Sequence, residues 1–295
     1  MSEPVVTYTV EELRQAGLGR ERAGDFDGAL ELYDAALSQA CTDEERELIT
    51  INKAAALIAI DRNGSEVQVL PSILMRRRNP HHTFLAAYAL TYKHRLQNDC
   101  KRGIFYGQIA LEAATEAKHP ARKVAVLNEL GVVYEMDSQF EKAIECFDEA
   151  LPLLDSIESA EQRKVSRTAI LQNLGYNKLL VGQTVEGIDI ILGVMSDVDL
   201  PSARAESLID LCYGYVELGQ FEKARWFGEE GLRLAEEPRQ IRNAHYLLGE
   251  TAYKCGDTDA AEFHFDELSK FYPQFRNLKN LLFAIDLRGM VNLKL

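Results

Sequence analysis

The sequence is short of positive charge. It carries 33 lysine and arginine residues against 46 aspartate and glutamate residues, which gives a formal net charge of -13. A protein that coats nucleic acid needs many cations to neutralise phosphates, and binding to anionic membranes needs them for the same reason. The composition therefore predicts that neither nucleic acid nor a membrane surface is the partner.

Long apolar runs are also missing. The longest obvious one covers residues 54–60, far short of the roughly 20 residues that cross a bilayer. The first residues, MSEPVVTYTVEELRQ, carry acids where a secretory signal carries bases. We therefore expect a cytoplasmic protein. The few cysteines are widely spaced, odd in number and without a CxxC motif, so we expect no disulfides. They are Cys41, Cys100, Cys146, Cys212 and Cys255.

Motifs that would carry chemistry are missing as well. The sequence has no GxxxxGK[ST] loop, no GxSxG elbow and no HExxH helix, and its six histidines lack metal-ligand spacing. We therefore predict a non-enzymatic protein with no catalytic residues, no cofactor and no metal site.

A repeated pattern is what the sequence does have. Residues 127–151 read LNELGVVYEMDSQFEKAIECFDEAL, and residues 208–232 read LIDLCYGYVELGQFEKARWFGEEGL. The same frame fits residues 13–37 and 245–268. One small residue of the frame recurs in steps of 74, 40, 44, 37 and 37, and the first step indicates a hidden unit. The recurring positions are Ala29, Gly103, Ala143, Gly187, Ala224 and Ala261.

Each unit reads as two amphipathic helices. Leu127, Leu130, Gly131 and Tyr134 follow the i, i+3, i+4, i+7 spacing of one helix face. Pro71 lies in the hidden unit, and because proline is accepted in a first helical turn, we expect a short helix from near Pro71 to near Arg78. Helix starts are predicted where Ser or Thr precedes Glu or Gln by three residues. These pairs are Thr9/Glu12, Thr42/Glu45, Ser138/Glu141 and Ser159/Gln162.

The repeats resemble the tetratricopeptide repeat (TPR) family, whose unit is two antiparallel helices with small residues where they cross. The resemblance implies an all-α fold, a right-handed superhelical solenoid of about seven antiparallel helix pairs in a single domain, 1–295. A C-terminal helix is expected over 274–293, and its apolar residues predict a homodimer contact. The expected pairs cover approximately 9–41, 43–79, 82–118, 121–157, 160–197, 202–237 and 239–272.

The family's first helices line a concave groove that binds peptides, and the resemblance places a set of tyrosines and amides there. Tyrosine suits an interface because a rigid ring buries much area while its hydroxyl still forms hydrogen bonds. The alternative is that neighbouring repeats pack these tyrosines against each other. The predicted groove residues are Tyr88, Tyr92, Asn128, Gln172, Asn173, Tyr176, Asn177, Tyr213, Tyr246 and Tyr253.

A basic zone interrupts the acidic chain between residues 76 and 102, which contain seven bases and one acid. Cations at a helix C-terminus complement its dipole, which gives a structural reason for the first three arginines. The alternative is a docking surface for an acidic partner. The seven bases are Arg76, Arg77, Arg78, Lys93, Arg95, Lys101 and Arg102.

These features predict a scaffold or adaptor that binds a peptide or protein segment in the concave groove. The alternative is a regulatory sensor whose groove binds a signalling peptide or a small molecule. One fold hosts many functions, so the fold does not choose between them.

Overall fold

The protein is described by a computed structural model in which residues 8–271 are placed. Within these residues the regular structure is helical throughout, without a strand, and consists of seven consecutive helix pairs. Two short 3-10 helices, Leu151–Ser156 and Met195–Asp197, follow α8 and α10. The helices are α1 Val10–Arg22, α2 Phe26–Gln39, α3 Asp43–Ala59, α4 Ser65–Arg76, α5 Pro80–Leu96, α6 Cys100–Glu116, α7 Pro120–Met136, α8 Phe140–Ala150, α9 Ala160–Leu180, α10 Thr184–Val194, α11 Pro201–Glu217, α12 Phe221–Leu234, α13 Pro238–Lys254 and α14 Thr258–Phe271.

This architecture confirms the predicted fold class, all-α with about seven antiparallel pairs. The chain forms two compact units, Met1–Val133 and Tyr134–Leu295, whose boundary falls near the end of α7. The helix predicted over 274–293 and its homodimer contact lie outside the described residues.

The predicted helix starts are confirmed at three of four places. Thr9 and Thr42 form complete capping boxes with Glu12 and Glu45. Ser159 accepts a hydrogen bond from the backbone N–H of Gln162. The prediction at Ser138 is wrong. That residue has a φ of 57° and its N–H bonds the carbonyl of Glu135, so it forms the tight turn that leaves α7, and Gln139 takes the cap position.

The predicted start near Pro71 is also wrong, because α4 begins six residues earlier and contains the proline. An internal proline removes one helical hydrogen bond and costs about 3 kcal/mol. Val67 and Leu70 precede it and are buried, so their packing offsets that cost. The helix ends at Arg76, and Arg77 follows in the left-handed conformation with a φ of 42°.

Small residues let the two helices of a pair touch. In the α9/α10 pair, a Cβ added at Gly187 would lie 2.6 Å from the carbonyl oxygen of Gly175. Backbone cannot yield as a flexible side chain can, so neither position has room for a larger residue. The apolar faces that this approach brings together form the core of unit 2, in which Leu179, Ile188 and Ile191 are buried.

We expect Gly187→Ala to lower the free energy of unfolding by about 2–3 kcal/mol, the cost of overpacking at a site that cannot relax. Gly193 lies in the same helix with nothing within 4 Å of an added Cβ. Gly193→Ala is the matched control and should stabilise by a few tenths to about 1 kcal/mol through helix propensity. Urea unfolding followed by circular dichroism measures both. Equal effects of the two substitutions would contradict the close approach of the two backbones.

Candidate functional site

The first helices of successive pairs lie side by side and are joined by polar side chains about one repeat apart. Within unit 2, the Nε2 of Gln172 on α9 donates to Ser207 Oγ on α11. The Nδ2 of Asn177 donates to the carboxylate of Glu135, in the last turn of α7, and to the carbonyl of Asn173. These bonds hold neighbouring repeats in one register.

Several polar contacts also join α11 to α13. Arg239 makes a two-pronged ion pair with Glu206, with N–O distances of 2.8 and 2.7 Å. Gln240 donates to the carbonyl of Ser202 at 2.9 Å and to Glu206 at 3.3 Å. Burial lowers the pKa of Arg239, but its hydrogen bonds to Glu206 and the nearby charge of Asp210 outweigh burial and raise that pKa above its ordinary value.

The shared register lines up one stripe of residues on each first helix. Positions i, i+4, i+7 and i+11 lie on one face of a helix. On α11 the stripe runs from Glu206 to Glu217, and on α13 the equivalent stripe runs from Arg239 to Glu250, with a tyrosine at the third position of each. We name the combined surface the acidic face. It consists of Glu135, Asn173, Tyr176, Asn177, Glu206, Asp210, Tyr213, Glu217, Arg239, Asn243, Tyr246 and Glu250.

The acidic face concentrates carboxylates in surroundings of low exposure. It carries five carboxylates and one guanidinium, and Glu135, Asp210 and Glu250 are only 7%, 6% and 6% exposed. Burial raises the pKa of the Tyr176 hydroxyl, and the carboxylates of Asp210 and Glu135 raise it further. The negative charges therefore act on a common volume around Tyr176. Such a surface favours a ligand that brings cations and hydrogen-bond donors.

Two buried amide oxygens reinforce that preference. Asn177 is fully buried and Gln240 is 2% exposed. Their side-chain oxygens have no hydrogen-bond donor among residues 8–271, although both NH2 groups are bonded. A buried acceptor without a donor costs about 1–3 kcal/mol. A segment whose N–H donors reached either oxygen would therefore stabilise this part of unit 2.

Comparison with known proteins identifies the fold. No family model and no curated protein matches the sequence. Solved structures do match: NprR in complex with its cognate peptide NprX is 15% identical with a TM-score of 0.70 over 95% of this chain and 83% of NprR. A Rap protein complexed with competence and sporulation factor is 14% identical with a TM-score of 0.68 over 95% and 81%.

A third match names the repeat. PH0952 from Pyrococcus horikoshii, a signal transduction ATPase with a tetratricopeptide repeat sensor, is 15% identical with a TM-score of 0.69. It covers 92% of this chain, which spans 44% of that larger protein. The chain has the tetratricopeptide-repeat fold. The resemblance drawn from the sequence repeats is thereby confirmed at the level of the fold.

The structure places the predicted TPR groove tyrosines in three different environments. Tyr176, Tyr213 and Tyr246 are 3%, 7% and 1% exposed, so their rings are packed inside unit 2. The groove role of these tyrosines and the alternative that neighbouring repeats pack them together both stay predictions. Tyr253 lies on the surface, 46% exposed. In unit 1, Tyr88 is partly buried and stacks on Phe84 with ring centroids 5.8 Å apart.

The remaining predicted groove residues are partly or fully buried. Arg95 lies over the ring of Tyr92, 4.8 Å from its centroid. Asn128 is partly buried, and its side-chain oxygen has no hydrogen-bond partner within residues 8–271. Gln172 and Asn173 are partly buried. Asn177 is fully buried and donates a hydrogen bond to the carboxylate of Glu135. The part these residues play in binding stays a prediction.

The basic zone of unit 1 is largely neutralised by its own neighbours. Arg76 pairs with Glu47 at 2.9 Å, Arg77 with Glu112 at 3.1 Å and Arg95 with Glu129 at 2.5 Å. Arg102 lies 3.5 Å from Asp99. No ion pair joins Arg78, Lys93 or Lys101 to another residue of the described part of the chain. A docking role for the zone therefore rests on fewer charges than the sequence count of seven.

The residues between Arg76 and His82 form a structured junction. Asn79 caps α5, and its Oδ1 accepts from the backbone N–H groups of His81 and His82. His82 is 2% exposed and bonds Glu47 on α3 at 2.9 Å. Arg78 and His82 also line a small cavity together with Asp43, Glu44, Glu47 and Asn79.

Between residues 8 and 271, no three His, Cys, Asp or Glu side chains converge in a geometry that holds a metal ion. No helix there has both the length and the apolar character to span a membrane.

Sequence reasoning missed most of the charged members of the acidic face. Glu206 and Asp210 look like solvated surface acids when the sequence is considered one helix at a time. The signal that finds them is the offset of 33 residues that aligns Glu206 with Arg239 and Tyr213 with Tyr246. Glu135 has no such signal, since its contact with Asn177 depends on how α7 ends.

A histidine pair between α13 and α14 generates a pH prediction. The Nδ1 atoms of His245 and His264 lie 3.0 Å apart. Burial first, and then the charges of His245 and Arg225, lower the pKa of His264 to about 4, with Glu267 acting in the opposite direction. An unfolded histidine has a pKa of about 6.5, so unfolding takes up a proton between these values.

Stability contributed by neutral His264 is therefore complete above pH 6.5 and falls as the pH drops towards 4. We expect His264→Gln to reduce that loss by about 1–2 kcal/mol, a value that allows for solvent screening. Urea unfolding at pH 7.5, 5.5 and 4.5 measures it. His119 is exposed, and His119→Gln is the control. Parallel pH profiles for wild type and His264→Gln would contradict the assignment.

Proposed function

We propose that the protein is a non-enzymatic TPR adaptor that binds a cationic peptide segment on the acidic face of unit 2. The observation that carries the proposal is the clustering of three carboxylates, Glu135, Glu206 and Asp210, around Tyr176, with two buried amide oxygens nearby that lack donors among residues 8–271. A peptide with lysine or arginine side chains supplies both the charge and the N–H donors. Peptide binding by NprR, which has the same fold, supports the proposal.

The arrangement of the acidic face suits recognition and carries no constellation for catalysis. Its amide Asn173 is partly buried, one helical turn from Asn177, and its side chain can bind the backbone of an extended peptide. Its tyrosine rings are held by packing, which reduces the entropy lost on binding. A sensor would use the same surface and add a change in helix packing. The single-domain organisation and the cytoplasmic location stay predictions.

The test measures binding of two fluorescein-labelled nine-residue peptides to the full chain by fluorescence anisotropy. One alternates arginine with leucine, and the other has glutamate in place of each arginine. We expect the basic peptide to bind at least tenfold more tightly at 50 mM salt, with the difference shrinking at 300 mM because salt screens exposed charges. Equal binding of the two peptides would contradict the proposal.

A pair of matched variants assigns the binding to the acidic face. Asp210→Asn with Glu217→Gln keeps the side-chain shapes, removes two charges and leaves the Arg239–Glu206 ion pair intact. We expect it to weaken the basic peptide five- to tenfold. Glu222→Gln with Glu229→Gln removes two exposed charges from α12 and should change the affinity less than twofold. Circular dichroism confirms that both variants are folded, and equal losses in the two would place the binding elsewhere.

A further inference from the structure

The end of the chain has the charge that the acidic face favours. Residues 134–271 contain 27 acidic and 13 basic side chains. Residues 272–295, YPQFRNLKNLLFAIDLRGMVNLKL, reverse this balance with four bases against the single acid Asp286. The four bases are Arg276, Lys279, Arg288 and Lys294. A cationic stretch is therefore covalently joined to the half of the chain that carries the acidic face.

The acidic face combines carboxylates of low exposure with two nearby amide oxygens that lack donors among residues 8–271. Buried carboxylates are stable only when cations or hydrogen bonds compensate them. Glu206 receives Arg239 and Glu135 receives Asn177, while the oxygens of Asn177 and Gln240 have no donor within residues 8–271. Lysine and arginine side chains and backbone N–H groups supply what these atoms need.

The segment is long enough to reach the whole face. α14 runs back along α13 and ends at Phe271, so the chain leaves near the start of α13, where Arg239 and Gln240 lie. Neighbouring helices are about 8–10 Å apart, so three steps from α13 to Glu135 cover roughly 30 Å. The 24 residues that follow span roughly 36 Å as a helix and up to about 80 Å when extended.

Tethering makes a weak contact effective. A segment on a short connection experiences an effective concentration of about 1 mM. An intrinsic dissociation constant of about 0.1 mM would therefore suffice to occupy the face about nine-tenths of the time. No exceptional complementarity is required of the segment.

We propose that residues 272–295 bind the acidic face of their own chain through Arg276, Lys279, Arg288 and Lys294 and so compete there with an external basic peptide. The competition rests on the proposed function. The contact itself does not, because it depends only on the charges and donors of this chain.

Zero-length cross-linking of the full wild-type chain tests the contact. A carbodiimide joins a lysine amine to a carboxylate only when the two touch, and peptide mapping by mass spectrometry identifies the residues. We expect Lys279 or Lys294 to link to Glu135, Glu206, Asp210, Glu217 or Glu250. Links of these lysines only to other acids would overturn the proposal.

An isotope mixture distinguishes the chain's own segment from that of a second copy. Equal amounts of ¹⁴N-labelled and ¹⁵N-labelled protein are mixed before cross-linking. Links within one chain give only light–light and heavy–heavy products, as we expect. Mixed light–heavy products in the statistical proportion would show that the occupant comes from another copy, which would overturn binding in cis.

Charge reversal tests the competition. Lys279→Glu with Arg288→Glu should abolish the remaining Lys294 links to the acidic face and raise the affinity of the basic nine-residue peptide at least fivefold. Lys101→Glu with Lys118→Glu makes the same charge change on exposed residues of unit 1 and should leave the affinity within twofold. Unchanged affinity in the first variant would overturn the competition. If Lys279 or Lys294 of the wild-type chain cross-links to the acidic face, but neither the wild type nor the charge-reversed variant binds the basic peptide, the result would support the contact and contradict the proposed function.

Discussion

The fold depends on the contact between the two backbones of each helix pair. At Gly187 an added methyl group would stand 2.6 Å from the carbonyl oxygen of Gly175 in the same pair, and at Gly228 on α12 one would stand 2.7 Å from the Leu248 side chain of the next pair. This closeness lets short helices bury enough apolar surface to be stable, since an isolated pair leaves one side uncovered until the next pair stacks on it. The small residues that recur every 37–44 positions are thus the origin of both the fold and its periodicity.

Fixed stacking gives the first helices a constant register, and the register creates the site. Arg239 meets Glu206 and Gln172 meets Ser207 at offsets of 33 and 35 residues, so equivalent positions of successive repeats become neighbours. Residues that are far apart in the sequence then form one surface without any special loop. The acidic face is rigid because its helices are packed against each other. Tyr213 and Tyr246, at the third position of the α11 and α13 stripes, are therefore held by packing.

Much of the fold could be predicted from the sequence because small residues, helix caps and apolar spacing are local signals. Thr9 and Thr42 cap their helices as their spacing indicates. The failures have physical reasons: tertiary packing of Val67 and Leu70 outweighs the local cost of Pro71, and a left-handed turn takes Ser138 away from its cap position. The burial of Tyr176 depends on the distance between two adjacent repeats, and no single repeat encodes it.

The same register explains why the two units use their charges differently. In unit 1 the offset pairs opposite charges, as in Arg95 of α5 with Glu129 of α7, and Arg76 pairs with Glu47 within the α3/α4 pair, so part of the basic stretch is neutralised by internal ion pairs. In unit 2 it pairs Glu206 with Arg239, but Asp210 and Glu217 follow Glu206 on the same stripe, and Glu250 lies on the next stripe, where Lys254 binds it at 2.8 Å. Carboxylates that packing holds on one surface favour a cationic partner. Under the proposed function, this concentration of carboxylates is what makes binding selective for a cationic segment.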